Sequence, residues 1–230
     1  MRVDRADLRS SAPLSRQQRS EADQPIVIIV DDDACVREAL SELLLSAGFH
    51  SVSFDSIREL VDADVLERPG CLILDVRMPG GSGLDLQQHL TQMGNPKPII
   101  FLTGHGDIPM TVRAMKAGAA DFLTKPVPDQ TLVDSVSESI ALDSRLRTKA
   151  VVVKRNLERL RALTPRERQV LHEVVRGRLN KQIAYDLGIR EITVKVHRGN
   201  VMRKMGVRTI GELIRAWETL PVLVREAGAN

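Results

Sequence analysis

The chain has 230 residues, a formal net charge of +3, 43% hydrophobic residues and 3% aromatic residues. That length allows one large domain or two small ones, with cores resting on Leu, Ile, Val, Ala and Met. Two cysteines without ligand-like spacing exclude a disulfide-built secreted scaffold, and no apolar run approaches the roughly 20 residues of a membrane span. A cytoplasmic protein with Cys35 and Cys71 as reduced structural thiols is therefore expected.

Residues 1–24 mix both charges and lack the apolar run of a secretory signal, so a disordered leader is expected there. From Pro25 onward, short apolar runs alternate with amphipathic stretches. IVIIV (26–30) has the length of a buried strand; in ACVREALSELLLSAG, Val36, Leu40, Leu43, Leu44 and Ala47 recur at helical spacing before Gly48. SVSF, CLILD (71–75), PIIFLT (98–103) and ADFL (120–123) read as further strands. The stretches SIRELVDADVLE, LDLQQHLTQM, IPMTVRAMKAG and VPDQTLVDSVSESIALDSRL read as the helices between and after them. Strands this apolar, each followed by a helix, predict a doubly wound α/β domain with a five-stranded parallel sheet over 25–143.

In such sheets ligands lie beyond the carboxyl ends of the strands. The first strand ends in Asp31-Asp32-Asp33, the third in Asp75 and the fourth in Thr103, and Lys125-Pro126 follows the fifth. Carboxylates gathered on one rim repel unless a cation neutralises them, and hard oxygen ligands suit Mg²⁺. A hydroxyl and an ammonium at neighbouring strand ends can hold phosphoryl oxygens. Singly, each residue has an ordinary reading as a cap, a turn residue or a solvated charge; in this order on successive elements they read as one site. Asp33 reads as the N-cap of the first helix rather than as a ligand.

Residues 25–145 resemble a response-regulator receiver domain, on VDDD (30–33), LDVRMPG (74–80), FLTGHGD (101–107) and FLTKP (122–126). The resemblance implies that Asp75 accepts a phosphoryl group from a sensor histidine kinase. It further implies that Asp31, Asp32, Asp75 and the backbone carbonyl of Arg77 hold Mg²⁺. Thr103 and Phe122 would be the switch residues, Lys125 would pair with the phosphoryl group, and the Lys125–Pro126 peptide would be cis. Arg77 and His105 stand where the family orients the hydrolytic water; neither is an amide or an acid, so slow self-dephosphorylation is expected.

The charge balance then changes sign. Residues 24–145 carry nine Lys and Arg against eighteen Asp and Glu, whereas residues 146–230 carry nineteen against eight. A basic segment joined to an acidic one points to two domains with different partners, with nucleic acid the natural partner of the basic one. RLRTKAVVVKRNLERLRAL is charged and helical in pattern, and a helical linker is expected over 144–160. An all-α four-helix domain is expected over 161–226. Thr164 and Glu167 form a capping box with Pro165 at the first helical position; Asn180 is read as capping a short second helix; a third starts near Arg190; Thr209 and Glu212 cap a fourth.

The third helix carries no acid between Thr193 and Met205, which suits a helix that reads DNA. LTPRERQVL, NKQIAYDLGI and TVKVHRGNVMRKM resemble the LuxR-type helix-turn-helix of the NarL/FixJ subfamily. By that resemblance, Lys195 and Val196 lie at base edges, Lys181, Arg198, Arg203 and Lys204 lie nearer phosphates, and Thr193 and Gly199 are further DNA-binding positions. Gly199 occupies a place where the subfamily often has a longer polar residue, at about 1 kcal/mol relative to alanine within a helix. His197 is expected to be core-facing and hydrogen-bonded, and Arg190 replaces the usual Ser or Thr cap. Leu213, Ala216 and Trp217 are expected to form a dimer surface on the fourth helix.

The functional expectation is a phosphorylation-activated transcriptional regulator, more an activator than a repressor, rather than an enzyme. Its implied partners are a sensor kinase, promoter DNA, a second copy of itself and RNA polymerase. An aspartyl phosphatase would need a second acid two residues after its nucleophile, where Arg77 stands. The motifs most resemble regulators of nitrogen fixation, nodulation and aromatic-compound breakdown.

Overall fold

The computed structural model describes residues 24–79, 81–104 and 106–226; the expected leader up to residue 23, and His105, lie outside them. The chain divides into two compact units, one ending at Leu146 and the other beginning at Arg147.

The first unit runs β1 (Ile26–Val30), α1 (Ala34–Ser46), β2 (His50–Phe54), α2 (Ile57–Asp62), β3 (Gly70–Leu74), β4 (Arg77–Met78), β5 (Gly81–Ser82), α3 (Gly83–Gln92), β6 (Ile99–Thr103), α4 (Ile108–Lys116), β7 (Asp121–Thr124) and the first part of α5 (Asp129–Arg161), whose remainder belongs to the second unit. The main sheet is parallel, in the order β2-β1-β3-β6-β7. The chain moves from β1 outward to β2 and then returns to the other side of β1, so the order reverses between β1 and β3. At that reversal the two neighbouring loops diverge to opposite faces and leave a crevice.

Side chains alternate across a strand, and here the alternation feeds two separate cores. Ile26, Ile28, Val30, Leu72, Leu74, Ile99 and Phe101 pack with Leu60 of α2, Leu84 and Leu90 of α3 and Ala114 of α4. Val27, Ile29, Cys71, Ile73, Ile100 and Leu102 pack with Leu40 and Leu44 of α1 and Leu132 and Val136 of α5. Each fully buried Leu or Ile contributes about 1.5–3 kcal/mol, which holds the sheet rigid beneath its loops. Gly70 starts β3 at φ +122°, where a Cβ would fall 1.9 Å from the Ile26 carbonyl oxygen; no other residue fits.

The expected cap of α1 is present, with Asp33 accepting from the Cys35 amide at 2.8 Å; Asp107 caps α4 in the same way, accepting from Met110 at 2.7 Å. The short β4–β5 hairpin, antiparallel with Arg77 opposite Ser82, has no counterpart among the elements expected from sequence. Both cysteines are free, and burial pushes the Cys71 thiol up to about 12.

Helix α5 continues without a break through the residues expected to be a separate linker. Beyond it the second unit runs α6 (Pro165–Val175), α7 (Asn180–Asp186), α8 (Glu191–Met205), α9 (Ile210–Glu218) and α10 (Val222–Glu226). Leu160, Leu163, Val170, Leu171, Val174, Ile183, Val194, Val201, Met205, Leu213 and Trp217 form its core. The last turns of α5 are therefore part of this core rather than a spacer. Asn156 donates to the Thr219 hydroxyl at 2.9 Å, and Arg159 donates to the Met205 carbonyl at 2.8 Å.

Several expectations for this unit change. Asn180 is the first residue of α7 rather than its cap; Leu179 precedes the helix, and its amide donates to the Gln182 side chain at 2.9 Å. Leu213 and Trp217, expected on a dimer surface, are buried in the unit's own core. The Thr209 hydroxyl caps α9, but Glu212 accepts from the Arg208 amide, one residue before the reciprocal position of a capping box. Arg190, by contrast, behaves as expected and precedes α8 without a side-chain cap bond.

Candidate functional site

Strand register builds the first site. Val30 pairs with Leu74 and Leu74 with Phe101, so Asp31 and Asp75 emerge side by side from β1 and β3, at the reversal of strand order. Thr103 ends β6 opposite Thr124 of β7, and Lys125 follows with its amide donating to the Thr103 carbonyl at 2.9 Å. The Asp31, Asp32, Asp75, Thr103 and Lys125 segments thus share the carboxyl rim of one sheet, although 94 residues separate the first from the last.

Asp31 and Asp75 are buried and Asp32 is exposed. One oxygen from each of the three lies within 4.8 Å of the others. Like charges about 4 Å apart repel by about 4 kcal/mol at the effective dielectric of a protein surface. A single ammonium answers them: Lys125 bonds Asp31 closely and reaches Asp75 at 3.2 Å. Burial works against the charge on Lys125, but the hydrogen bond and field of Asp31, with Asp75 behind them, raise its pKa above the usual lysine value. Three carboxylates against one ammonium leave a surplus of negative charge on hard oxygen donors, a set that fits Mg²⁺.

The backbone fixes these carboxylates. The Asp33 amide donates to Asp31 Oδ1 at 3.0 Å and the Arg77 amide to Asp75 Oδ1 at 3.1 Å. Arg37, which no sequence motif singles out, donates to the Asp31 carbonyl at 2.7 Å from α1. Asp75 Oδ2 therefore faces the ammonium while Oδ1 is tied to its own loop. Phe122 is half-buried with its ring centroid 5.9 Å from that of Phe101, and a Cβ on Gly106 would lie 2.9 Å from its edge. The Lys125–Pro126 peptide is cis. Arg77 is exposed, with its backbone in β4.

The second candidate surface is α8. Lys195 is exposed, 3.6 Å from Glu191, and Val196 and Gly199 are exposed beside it. Arg203 is exposed and donates to Asn200 at 3.1 Å; Lys181 is exposed on α7, and Thr193 is half-buried. Arg198 turns back toward α7 and donates to Asn180 Oδ1 at 2.5 Å. Lys204, expected near phosphates, is half-buried and has partners within the protein. Its ammonium contacts Glu167 Oε2 at 2.7 Å and the Ala162 carbonyl at 3.2 Å, within the domain. Glu167 also accepts from the Thr164 amide at 2.8 Å, completing the expected capping box. The Lys204 hydrogen bond and then the Thr164 amide lower the Glu167 pKa to about 2. His197 is half-buried, but its Nδ1 is buried with no hydrogen-bond partner among the described residues, contrary to the bonded role expected.

Comparison with known proteins follows the same division. Residues 27–137 match the family model for the response regulator receiver domain, and residues 161–217 that for bacterial regulatory proteins of the luxR family. Nodulation protein W of Bradyrhizobium diazoefficiens is 49% identical over 86% of this chain and 87% of its own length. Response regulator protein TodT of Pseudomonas putida is 48% identical over 85% of this chain and 86% of its own. Among solved structures, response regulator StyR is similar at a TM-score of 0.73 and 48% identity, over 85% of this chain and 98% of that one. Full-length FixJ from B. japonicum is similar at 0.53 and 38% identity, over 86% and 97%.

Proposed function

The chain belongs to the response regulators that carry a LuxR-type DNA-binding domain, and from that membership we propose that phosphorylation of Asp75 switches it to bind promoter DNA. The observation that carries this reading is the rim itself, with Asp31, Asp32 and Asp75 clustered and Lys125 bridging two of them. Asp31, Asp32, Asp75 and the Arg77 carbonyl would hold Mg²⁺, which supplies charge neutralisation where the phosphoryl oxygens gather.

In the transfer, a carboxylate oxygen of Asp75 attacks the phosphorus of a kinase phosphohistidine. The new O–P bond forms as the N–P bond breaks, and the electron pair returns to the imidazole nitrogen. Lys125 then exchanges part of its contact with Asp31 and Asp75 for a phosphoryl oxygen. Thr103 donates its hydroxyl to another, and Phe122 follows it inward. Arg77 offers the hydrolytic water no acid or amide, so the acyl phosphate persists.

The readout is dimerisation through α4 and β7, where Ile108, Val112 and Met115 are exposed. Two weakly bound half-sites then become one spaced site. Lys195 and Val196 meet base edges, with Arg203 and Lys181 at phosphates. The protein so read is a cytoplasmic regulator, not an enzyme. It works with RNA polymerase at promoters for nitrogen fixation, nodulation or aromatic-compound breakdown, with activation as the output.

Sedimentation of the full chain with beryllofluoride and Mg²⁺ tests the switch. A shift from monomer to dimer that Asp75→Ala abolishes supports it; an unchanged mass in the wild type argues against it.

A further inference from the structure

Helix α8 has apolar side chains on two opposite faces, and only one of them serves the fold. At about 100° per residue, Ile192, Val196, Gly199 and Arg203 fall within about 60° of one another, opposite Val194, Val201 and Met205. The latter three are buried, and the former four are exposed. Ile192 is 61% exposed and Val196 57% exposed, one turn apart, with Lys195 and Arg203 flanking them. A single exposed aliphatic residue is ordinary. An i, i+4 pair on the outermost stripe of a basic helix, in line with a glycine, is a surface of defined chemistry.

Gly199 has no reason inside the protein. Its φ is not positive, and a Cβ there would meet nothing within 4 Å. By contrast, Gly206 at the end of α8 needs its left-handed φ of +64°, and a Cβ there would meet the Arg159 guanidinium at 2.7 Å. Glycine at a helix interior disfavours the helix about fivefold relative to alanine. The fold would gain from a larger residue at 199, so the reason for glycine lies in what α8 meets.

Resting on the DNA-binding reading above, we infer that Ile192 and Val196 form an apolar seam that packs on thymine 5-methyl groups in the major groove, and that Gly199 lets α8 seat deeply enough to reach them. Among the major-groove edges, the thymine methyl is the apolar feature that aliphatic side chains can recognise. The flanking Lys195 and Arg203 supply the charge for phosphates and guanines on either side of the seam. Ile192 is thereby a specificity residue outside the positions that the family motif marks.

The test uses the full chain activated with beryllofluoride and Mg²⁺, and a duplex taken by binding-site selection from a random library. Each thymine is replaced in turn by deoxyuridine, which removes only the methyl. At one or more positions per half-site the wild type should lose affinity about three- to fivefold, the scale of one buried methyl group. Ile192→Ala should bind the original duplex more weakly and be indifferent to deoxyuridine at one of those positions. Gly199→Ala should keep or raise the unfolding temperature while losing about tenfold in affinity. Wild-type affinity indifferent to every deoxyuridine, an Ile192→Ala protein with the same penalties as wild type, or undiminished binding by Gly199→Ala would overturn the inference. Failure to enrich any duplex would instead sink the DNA-binding reading, and this inference with it.

Discussion

The two units of this chain assemble function in opposite ways. In the first, Asp31, Asp75, Thr103 and Lys125 come from four separate segments and meet because parallel register carries their strand ends to one rim. In the second, the residues proposed to read bases lie within one helix, Glu191–Met205, and the unit's core is built beneath it. A site gathered from distant loops has positions at which one substitution removes the chemistry. A helical face divides its work among neighbours, so single losses there are partial.

Lys125→Ala should break this contrast most sharply. With its bridge to Asp31 and Asp75 gone, beryllofluoride and Mg²⁺ should no longer produce a dimer in sedimentation, although the DNA-binding unit keeps its helical signal. A normal dimer would show that the first unit's switch is as distributed as the second's reading face.

Glu167→Gln comes next, by removing a buried charge that serves both the α6 cap and Lys204. A loss of about 2–3 kcal/mol is expected in denaturant unfolding of the second unit, since the lysine keeps its charge without its partner. The pH dependence fixes the cause. Glu167 has a depressed folded value of about 2 against an ordinary 4.5, so its contribution is full above about pH 4.5 and fades as the pH falls toward 2. The variant should lack this acid-side loss, and a wild type whose second unit shows none would contradict the pair's role.

On the reading face the effects shrink. Arg203→Ala should weaken DNA binding uniformly across sequences and lower the slope of log affinity against log salt by about one, the signature of one phosphate contact. A change of base preference at one position would instead make Arg203 a base reader. Smallest is Arg190→Ser, which gives α8 the side-chain cap that it lacks and should raise stability by about 0.5–1 kcal/mol in thermal unfolding.

The same contrast governs what sequence reading could reach. The strands were legible because IVIIV, CLILD and PIIFLT are buried on both faces, and the rim because its residues end those strands. The β4–β5 hairpin was not, since two-residue strands carry no period. The shift in charge falls at the division between the two units, but no break in the helix marks it. Residues 129–161 contain no Gly or Pro to stop a helix, and Asn156 and Arg159 find their partners only 63 and 46 residues later. The Lys204–Glu167 pair is not visible in the sequence, because its members lie 37 residues apart on different helices. Resemblance places Leu213 and Trp217 at an interface, whereas the core formed by α6 to α9 and the end of α5 takes up both.

The most direct measurement is the intact mass of the full chain after incubation with a small-molecule phosphodonor, with and without Mg²⁺, for the wild type and Asp75→Asn. One added phosphoryl group on the wild type, dependent on Mg²⁺ and absent from the variant, is the expected result. Equal phosphoryl uptake by Asp75→Asn, or none by the wild type with Mg²⁺ present, would contradict the account.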